Sequence, residues 1–177
     1  DWDKALTYTL TFTETDDSTK DIFDPNSYAG TYAYNYLGTL PKGEALQKYY
    51  DKLDALCYQF HLNGTDIQPM QSGQHEIGVL GILNFSELGL TFEEAQAVYV
   101  AYILDRPLYY WLENAIAYSD TSIYVLVAPE YYLASARNEW NQKIYAKIQE
   151  WTALVSDEHS AYQIALAYHD LIVSEID

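Results

Sequence analysis

Cysteine is almost absent from this 177-residue chain, and several other chemically informative features are missing with it. The single cysteine, Cys57, excludes an internal disulfide. No run of 18 apolar residues is present, so the sequence predicts no membrane-spanning helix and no membrane insertion. The motifs GxSxG, GxxxxGK, GxGxxG and HExxH are all absent. The sequence therefore gives no support to the hydrolase, nucleotide-binding and zinc-protease classes that these motifs identify.

Basic residues are also scarce. Nine Lys and Arg face 26 Asp and Glu, which gives a formal net charge of −17 at pH 7. A nucleic-acid backbone or an anionic membrane surface requires clustered positive charge, so neither is expected as a partner. The excess of negative charge favours solubility and carries no information about the fold.

Aromatic residues, by contrast, are abundant. The chain has 19 Tyr and four Trp, and 49% of its residues are hydrophobic against 20% charged, which is typical of a globular protein. We expect one helix-rich domain over residues 1–177, with an N-terminal strand and acidic loop at 1–26 and a helical region at 27–177. The sequence opens on DWDKAL without an initiator methionine, which we interpret as a trimmed mature chain or an excised segment.

Three segments have the patterns of β-strands. Residues 6–14 alternate strictly between apolar side chains and threonines, and residues 122–128 form a short buried run. The apolar run at 77–83 is a weaker strand prediction because it contains Gly78 and Gly81. We expect 6–14 to pair with 122–128.

Five segments have the patterns of helices. The first covers 28–38, and the second is opened by Pro41 and closed near Gly64. The third follows a capping box of Thr91 and Glu94 and runs to Leu104. The fourth, predicted to be the longest, runs from Pro129 to about Val155. The fifth runs from near Ser156 to the end. Residues 108–118 are predicted to form a short helix or turn. The predicted fold is helix-dominated α+β, with about five helices and a small antiparallel sheet of two or three strands.

The candidate catalytic and metal-binding residues have simpler structural explanations. Cys57 lies on the apolar stripe of a helix, which predicts a buried thiol rather than a nucleophile. His169 and Asp170 are adjacent on a helix and should point about 100° apart, which predicts no hydrogen-bonded dyad and a structural or capping role. The five carboxylates between Glu14 and Asp24 lack the spacing of an EF-hand, so we predict a solvated loop, no metal site and no cofactor.

The aromatic cluster Tyr109, Tyr110 and Trp111 has two interpretations. Such side chains stack on a sugar or a peptide when they are exposed, and they form core when they are buried. The core interpretation is favoured, and contact with a ligand or another domain is kept as the alternative.

Two segments resemble secreted bacterial transglutaminase-like proteins. LTFEEAQAVYVAYILDRPLYYWL at 90–112 is similar to their helix–Asp–x–Pro–aromatic–Trp block, here with Asp105, Pro107, Tyr110 and Trp111. SAYQIALAYHDLIVSEI near the end resembles the helix that leads into their catalytic core. The resemblance covers roughly residues 27–177.

The resemblance implies a location rather than an activity. Relatives of this kind are secreted or cell-surface proteins whose papain-like core uses a Cys, a His and an Asp, and none of the three motifs is present here. The expected role is a non-catalytic N-terminal domain that supports or occludes an adjacent Cys-His-Asp site, with the downstream core or another protein domain as its partner. The chain alone is not expected to be an enzyme, while the full-length protein would be a cysteine protease or acyl transferase. One alternative is a free-standing extracellular module that binds carbohydrate or peptide; another is an acidic inhibitor or pro-segment.

The final helix is predicted to be the seam with that partner. It is apolar over about 220°, more than one-sided packing requires. We expect Tyr162, Leu166 and Val173 to pack inside this domain, while Ile164 and Leu171 contact the neighbour. An exposed apolar face on this helix would favour an associated domain, and an exposed aromatic groove would favour the binding module.

Overall fold

The structure, a computed structural model, describes residues 31–72, 75–154 and 160–176. Within these ranges the fold is helix-dominated α+β, as predicted, with five helices and one four-stranded antiparallel sheet instead of two or three strands. The predicted strand at 6–14 and the acidic loop after it lie outside the described residues. The elements are α1 (Tyr32–Gly38), α2 (Gly43–Asn63), β1 (Met70–Ser72), β2 (His75–Asn84), α3 (Phe92–Asp105), β3 (Ala117–Tyr118), β4 (Ser122–Val127), α4 (Ala134–Ala153) and α5 (Ala161–Ile176).

The sheet has the strand order β1-β2-β4-β3, with every neighbouring pair antiparallel. The predicted strands at 77–83 and 122–128 are β2 and β4. The two strands that the sequence missed, β1 and β3, are three and two residues long, too short for an alternating pattern to be visible. Because β4 lies between β2 and β3, it is an interior strand. Its predicted pairing with 6–14 involves residues outside the described ranges.

The two glycines of β2 make room for neighbouring side chains. A Cβ atom at Gly78 would overlap the Tyr132 ring, and one at Gly81 would lie 2.8 Å from the Leu56 side chain of α2. Both glycines therefore allow close packing on the sheet, which explains why a segment with two glycines is nevertheless a strand.

Helices α2 and α3 pack together beside the sheet and enclose a core rich in tyrosine. The apolar stripe predicted for α2 is confirmed, with Leu46, Tyr49, Leu53, Cys57 and Phe60 all buried and Leu56 half-buried. The ends of both helices follow the predicted chemistry. Gly64 adopts a left-handed conformation (φ 55°) after α2. Before α3, the Thr91 hydroxyl accepts from the backbone N–H of Glu94 while the Glu94 carboxylate accepts from the backbone N–H of Thr91.

The start of α4 differs from the prediction. Pro129 opens a separate 3-10 turn, Pro129–Tyr131, and the helix itself begins at Ala134. With 20 residues α4 is not the longest described helix, because α2 has 21. The apolar side chains at α4 are only partly buried: Leu133, just before the helix, and Trp140 are exposed, and the one fully buried residue of the helix is Arg137.

Candidate functional site

Asp105, the acidic residue of the DRPLYYWL block, is buried and binds the beginning of α1. Its side chain is 5% exposed. Its carboxylate accepts hydrogen bonds from the backbone N–H groups of Ala33 (3.2 Å) and Tyr34 (3.0 Å) and from the Tyr50 hydroxyl (3.1 Å). Negative charge is favourable at a helix N-terminus. The arrangement fixes α1 to α2 and α3, which is a structural role. Both carboxylate oxygens accept hydrogen bonds within the fold, so neither is directed at a substrate in solvent.

Arg106 links α3 to α2 in the same region. Its Nε donates to Asp54 Oδ1 at 2.8 Å, and the Tyr102 hydroxyl donates to the same oxygen at 3.1 Å. The guanidinium carbon also lies 5.7 Å from the centre of the Tyr50 ring. Burial opposes the charge of this guanidinium, but the hydrogen bond and the charge of Asp54 raise its pKa overall. This residue therefore stabilises the helix pair.

Cys57 lies in the middle of the core, and the buried thiol predicted from the sequence is confirmed. Its exposure is 0%, and burial raises the pKa of the thiol to about 12. Since the thiolate is the nucleophilic form, the side chain is both unreachable and protonated at neutral pH. Cys57 is unsuited to covalent catalysis.

The prediction that His169 and Asp170 form no hydrogen bond is wrong. His169 Nδ1 lies 3.2 Å from Asp170 Oδ1. The two residues leave the helix about 100° apart, but both side chains are long enough to turn towards each other across the helix surface. The pair is nevertheless highly exposed. In the described part of the chain, no group of three or more His, Cys, Asp or Glu side chains is arranged to hold a metal ion.

The aromatic cluster belongs mostly to the core, the interpretation that the sequence favoured. Tyr109 and Trp111 are buried, and Trp111 packs edge-on against Phe60 with ring centres 4.9 Å apart. Tyr110 is half-buried; its hydroxyl lies 2.8 Å from both the Arg137 carbonyl and Asn141 Oδ1, and burial raises its pKa to about 12. The three side chains do not form a flat exposed platform for a sugar ring.

A shallow depression of about 470 Å³ lies at the beginning of α2. Its lysines already have partners: Lys42 contacts the Gly89 carbonyl and Glu94, both at 2.8 Å, and Lys48 contacts Glu44 at 2.6 Å. No aromatic side chain lines it. The depression is therefore not an aromatic groove.

Helix α5 presents an apolar face to solvent, but on the side opposite to the one predicted. Tyr162 is 75% exposed, and Leu166 and Val173 are each 45% exposed. The half-buried side chains at helical spacing are Ile164, Ala167, Tyr168 and Leu171. The prediction that Tyr162, Leu166 and Val173 pack inside the domain is wrong. The helix is apolar on both sides, so its sequence pattern alone does not say which side the domain covers.

A charged contact links α5 to α4. Lys147 of α4 contacts Glu175 of α5 at 2.7 Å. The indole N–H of Trp151, on the same helix as Lys147, is buried without a hydrogen-bond partner. Together with the exposed face of α5, this leaves the C-terminal helices less completely packed than the core around α2 and α3.

The sequence did not predict two polar arrangements that organise the fold, the Asp54–Arg106 ion pair and the buried Arg137. Arg137 donates to the carbonyls of Thr65, Tyr131 and Tyr132 and lies 4.3 Å above the Phe60 ring. Nothing in the sequence distinguishes this arginine from an exposed one, since its partners are backbone carbonyls of two separate segments, the loop after α2 and the turn before α4.

No protein-family model, curated protein or solved structure matches this chain. None of the described helices is long and apolar enough to cross a membrane.

Proposed function

We propose that this chain is a non-catalytic, extracellular or cell-surface domain that docks an adjacent transglutaminase-like core and supports or occludes its Cys-His-Asp site. The observation that carries the proposal is the outward face of α5, where Tyr162, Leu166 and Val173 are exposed together. On α5 these positions are four and seven residues apart, so the three side chains form one stripe.

The apolar stripe favours a macromolecular partner over a small ligand. Exposed apolar residues gathered on one helix face are typical of surfaces that associate with another protein surface. Tyr109 and Trp111, which were first considered for sugar or peptide binding, are buried, so they cannot stack on such a ligand. This supports the choice of a macromolecular partner. From the sequence we expected Ile164 and Leu171 to contact the partner. We now assign that contact to the opposite side of the helix, where Tyr162, Leu166 and Val173 are exposed.

The chain's own chemistry supports a non-catalytic role. Its one thiol is inside the core with a raised pKa. The exposed His169–Asp170 pair is on the surface of α5, far along the sequence from Cys57, and has no nucleophile within hydrogen-bond distance among the described residues. The transglutaminase-like identity of the partner is proposed from the resemblance of the two sequence blocks.

Hydrogen exchange of this chain and of a longer polypeptide that carries the core tests the proposal. We expect slower exchange over 160–176 when the core is present. Two variants sharpen the test: Leu166→Glu with Val173→Glu should abolish the added protection, whereas Gln163→Glu with Ser174→Glu places the same charge about a quarter-turn away and should preserve it. Equal exchange in the two polypeptides would reject docking through α5 and favour the free-standing binding module.

A further inference from the structure

A second, smaller cavity lies between the end of α2 and the beginning of α4. Its volume is about 50 Å³, and its lining residues are His61, Gly64, Trp111, Ala134, Arg137, Asn138 and Asn141. A single water needs roughly 10–15 Å³ by this kind of measure, so the space holds a few waters or one compact ion. The docking surface on α5 does not involve any of these residues.

Arg137 supplies a buried positive charge to this cavity. The side chain is 6% exposed and forms no ion pair among the described residues. The nearby carboxylate of Asp66 instead accepts the backbone N–H of Ala134 at 2.8 Å. Burial lowers the pKa of Arg137, although the charge of Asp66 acts in the opposite direction. A buried charge that lacks a direct counterion is costly, and an anion beside it would lower that cost.

Two donor groups at the cavity have no acceptor within the described part of the chain. Three carbonyls use three of the five guanidinium hydrogens of Arg137, which leaves the Nε–H and one Nη2–H. The indole N–H of Trp111, a group that only donates, also has no acceptor among the described residues, although this side chain is 2% exposed. Among the described residues, the one side-chain N or O atom that is fully buried without a partner is the Trp151 indole nitrogen, so the N–H groups of Trp111 and Arg137 are not sealed off and are available to an acceptor in the cavity.

The geometry points to a binding site for a compact anion, a halide or a carboxylate group, in the cavity between α2 and α4. The guanidinium supplies the charge, and the N–H groups of Arg137 and Trp111 supply hydrogen bonds. Asn138 lines the same space from the second turn of α4. Ala134, the first residue of that helix, also lines it, and the N-terminal end of a helix favours an anion. A volume of about 50 Å³ suits an anion of only a few atoms. Binding would secure α4 to the loop after α2, since Arg137 already contacts Thr65 of that loop.

Thermal unfolding at pH 7 and constant sodium concentration tests this site. Sodium gluconate, whose polyhydroxy chain is too large to enter, is replaced stepwise by sodium chloride or sodium formate. At a concentration roughly tenfold above Kd we expect Tm to rise by about 3–6 °C. A rise with formate alone would show that the site selects a carboxylate, and a rise with both salts would show that it accepts small anions in general. No rise with either salt overturns the proposal.

Matched variants separate this effect from a general salt effect. Asn138→Asp places a carboxylate at the cavity and should abolish the dependence of Tm on chloride and formate. Asn114→Asp makes the same change at an exposed position elsewhere and should retain it. Equal anion dependence in the two variants would refute the site even if the wild-type protein responds to salt. Crystals soaked in sodium bromide give a direct readout, with an anomalous peak beside Arg137 expected and an empty cavity as the contrary result.

Discussion

At the scale of single residues, the core depends on tyrosines whose hydroxyl groups are paired. Among the described residues, four tyrosines are fully buried and their hydroxyl groups all donate to a partner. Tyr49 donates to the Leu83 carbonyl, Tyr50 to the Asp105 carboxylate, Tyr99 to the Glu113 carbonyl and Tyr102 to the Asp54 carboxylate. Burial raises the pKa of every one. A buried hydroxyl without a partner would cost about 1–3 kcal/mol, so pairing is what permits so many tyrosines inside.

Asp105→Asn tests this arrangement at its most connected carboxylate. Asparagine has the same shape but only one acceptor oxygen, and its NH₂ group would face the N–H groups of Ala33 and Tyr34 or the Tyr50 hydroxyl. We expect the free energy of unfolding, measured by urea denaturation, to fall by about 1–3 kcal/mol. The exposed Asp120→Asn is the control and should change it little. A loss no larger than that of the control would show that the carboxylate does not stabilise the N-terminus of α1.

Cys57 provides a second residue-scale prediction. Because the thiol is fully buried and its pKa is raised to about 12, a thiol-reactive dye at pH 7 should label the protein only after denaturation. A variant with Ser160→Cys, an exposed position before α5, should take up one equivalent quickly under native conditions and serves as the positive control. Fast labelling of the native wild-type protein would contradict the buried, unreactive thiol.

At the scale of elements, glycines show how packing overrides local propensity. Gly43 is the first residue of α2, and in helix interiors alanine is favoured over glycine by about 1 kcal/mol. At position 43 the structure favours glycine over alanine instead, because a Cβ atom there would overlap the backbone carbonyl of Gly38. At Gly81 of β2 the obstruction is the Leu56 side chain, which can rotate away.

The two Gly→Ala substitutions should therefore differ in cost. We expect Gly43→Ala to destabilise the protein by about 1–3 kcal/mol, because a backbone atom cannot move without displacing the turn before α2. Gly81→Ala should cost less, since Leu56 can adopt another rotamer. Chemical denaturation of both variants and the wild type decides the order. A Gly43→Ala protein that is more stable than the wild type would show that helix propensity outweighs this contact.

Sequence patterns predicted the individual elements best where the determining residues are neighbours in the chain. The capping box of Thr91 and Glu94 spans three residues, and the end of α2 depends on one glycine, so both were visible without a structure. The short strand β3 was not visible, because two residues become a strand only through pairing with Ile123 and Tyr124 of β4. Pro129 was interpreted as the start of α4, but it begins a separate turn.

At the scale of the whole molecule, charge controls behaviour in solution. The net charge of −17 at pH 7 keeps molecules apart, while exposed apolar side chains on α5 would favour association. Solubility should therefore fall sharply as the pH approaches the sequence pI of about 4.3. Light scattering between pH 7 and 4 measures this. A protein that stays monodisperse at its pI would show that charge repulsion is not what keeps it dispersed.

The sequence by itself determined the helix-dominated α+β class, the apolar stripe of α2 and the burial of Cys57, because periodicity and end signals act over a few residues. It did not determine which side of α5 the domain covers, since both sides are apolar and only packing against other elements distinguishes them. The tertiary structure also decided that Asp105 binds α1 across some 70 residues of chain and that Arg137 is buried beside a cavity. Such long-range polar contacts leave no periodic pattern, because their partners are brought together only when distant turns and helices pack.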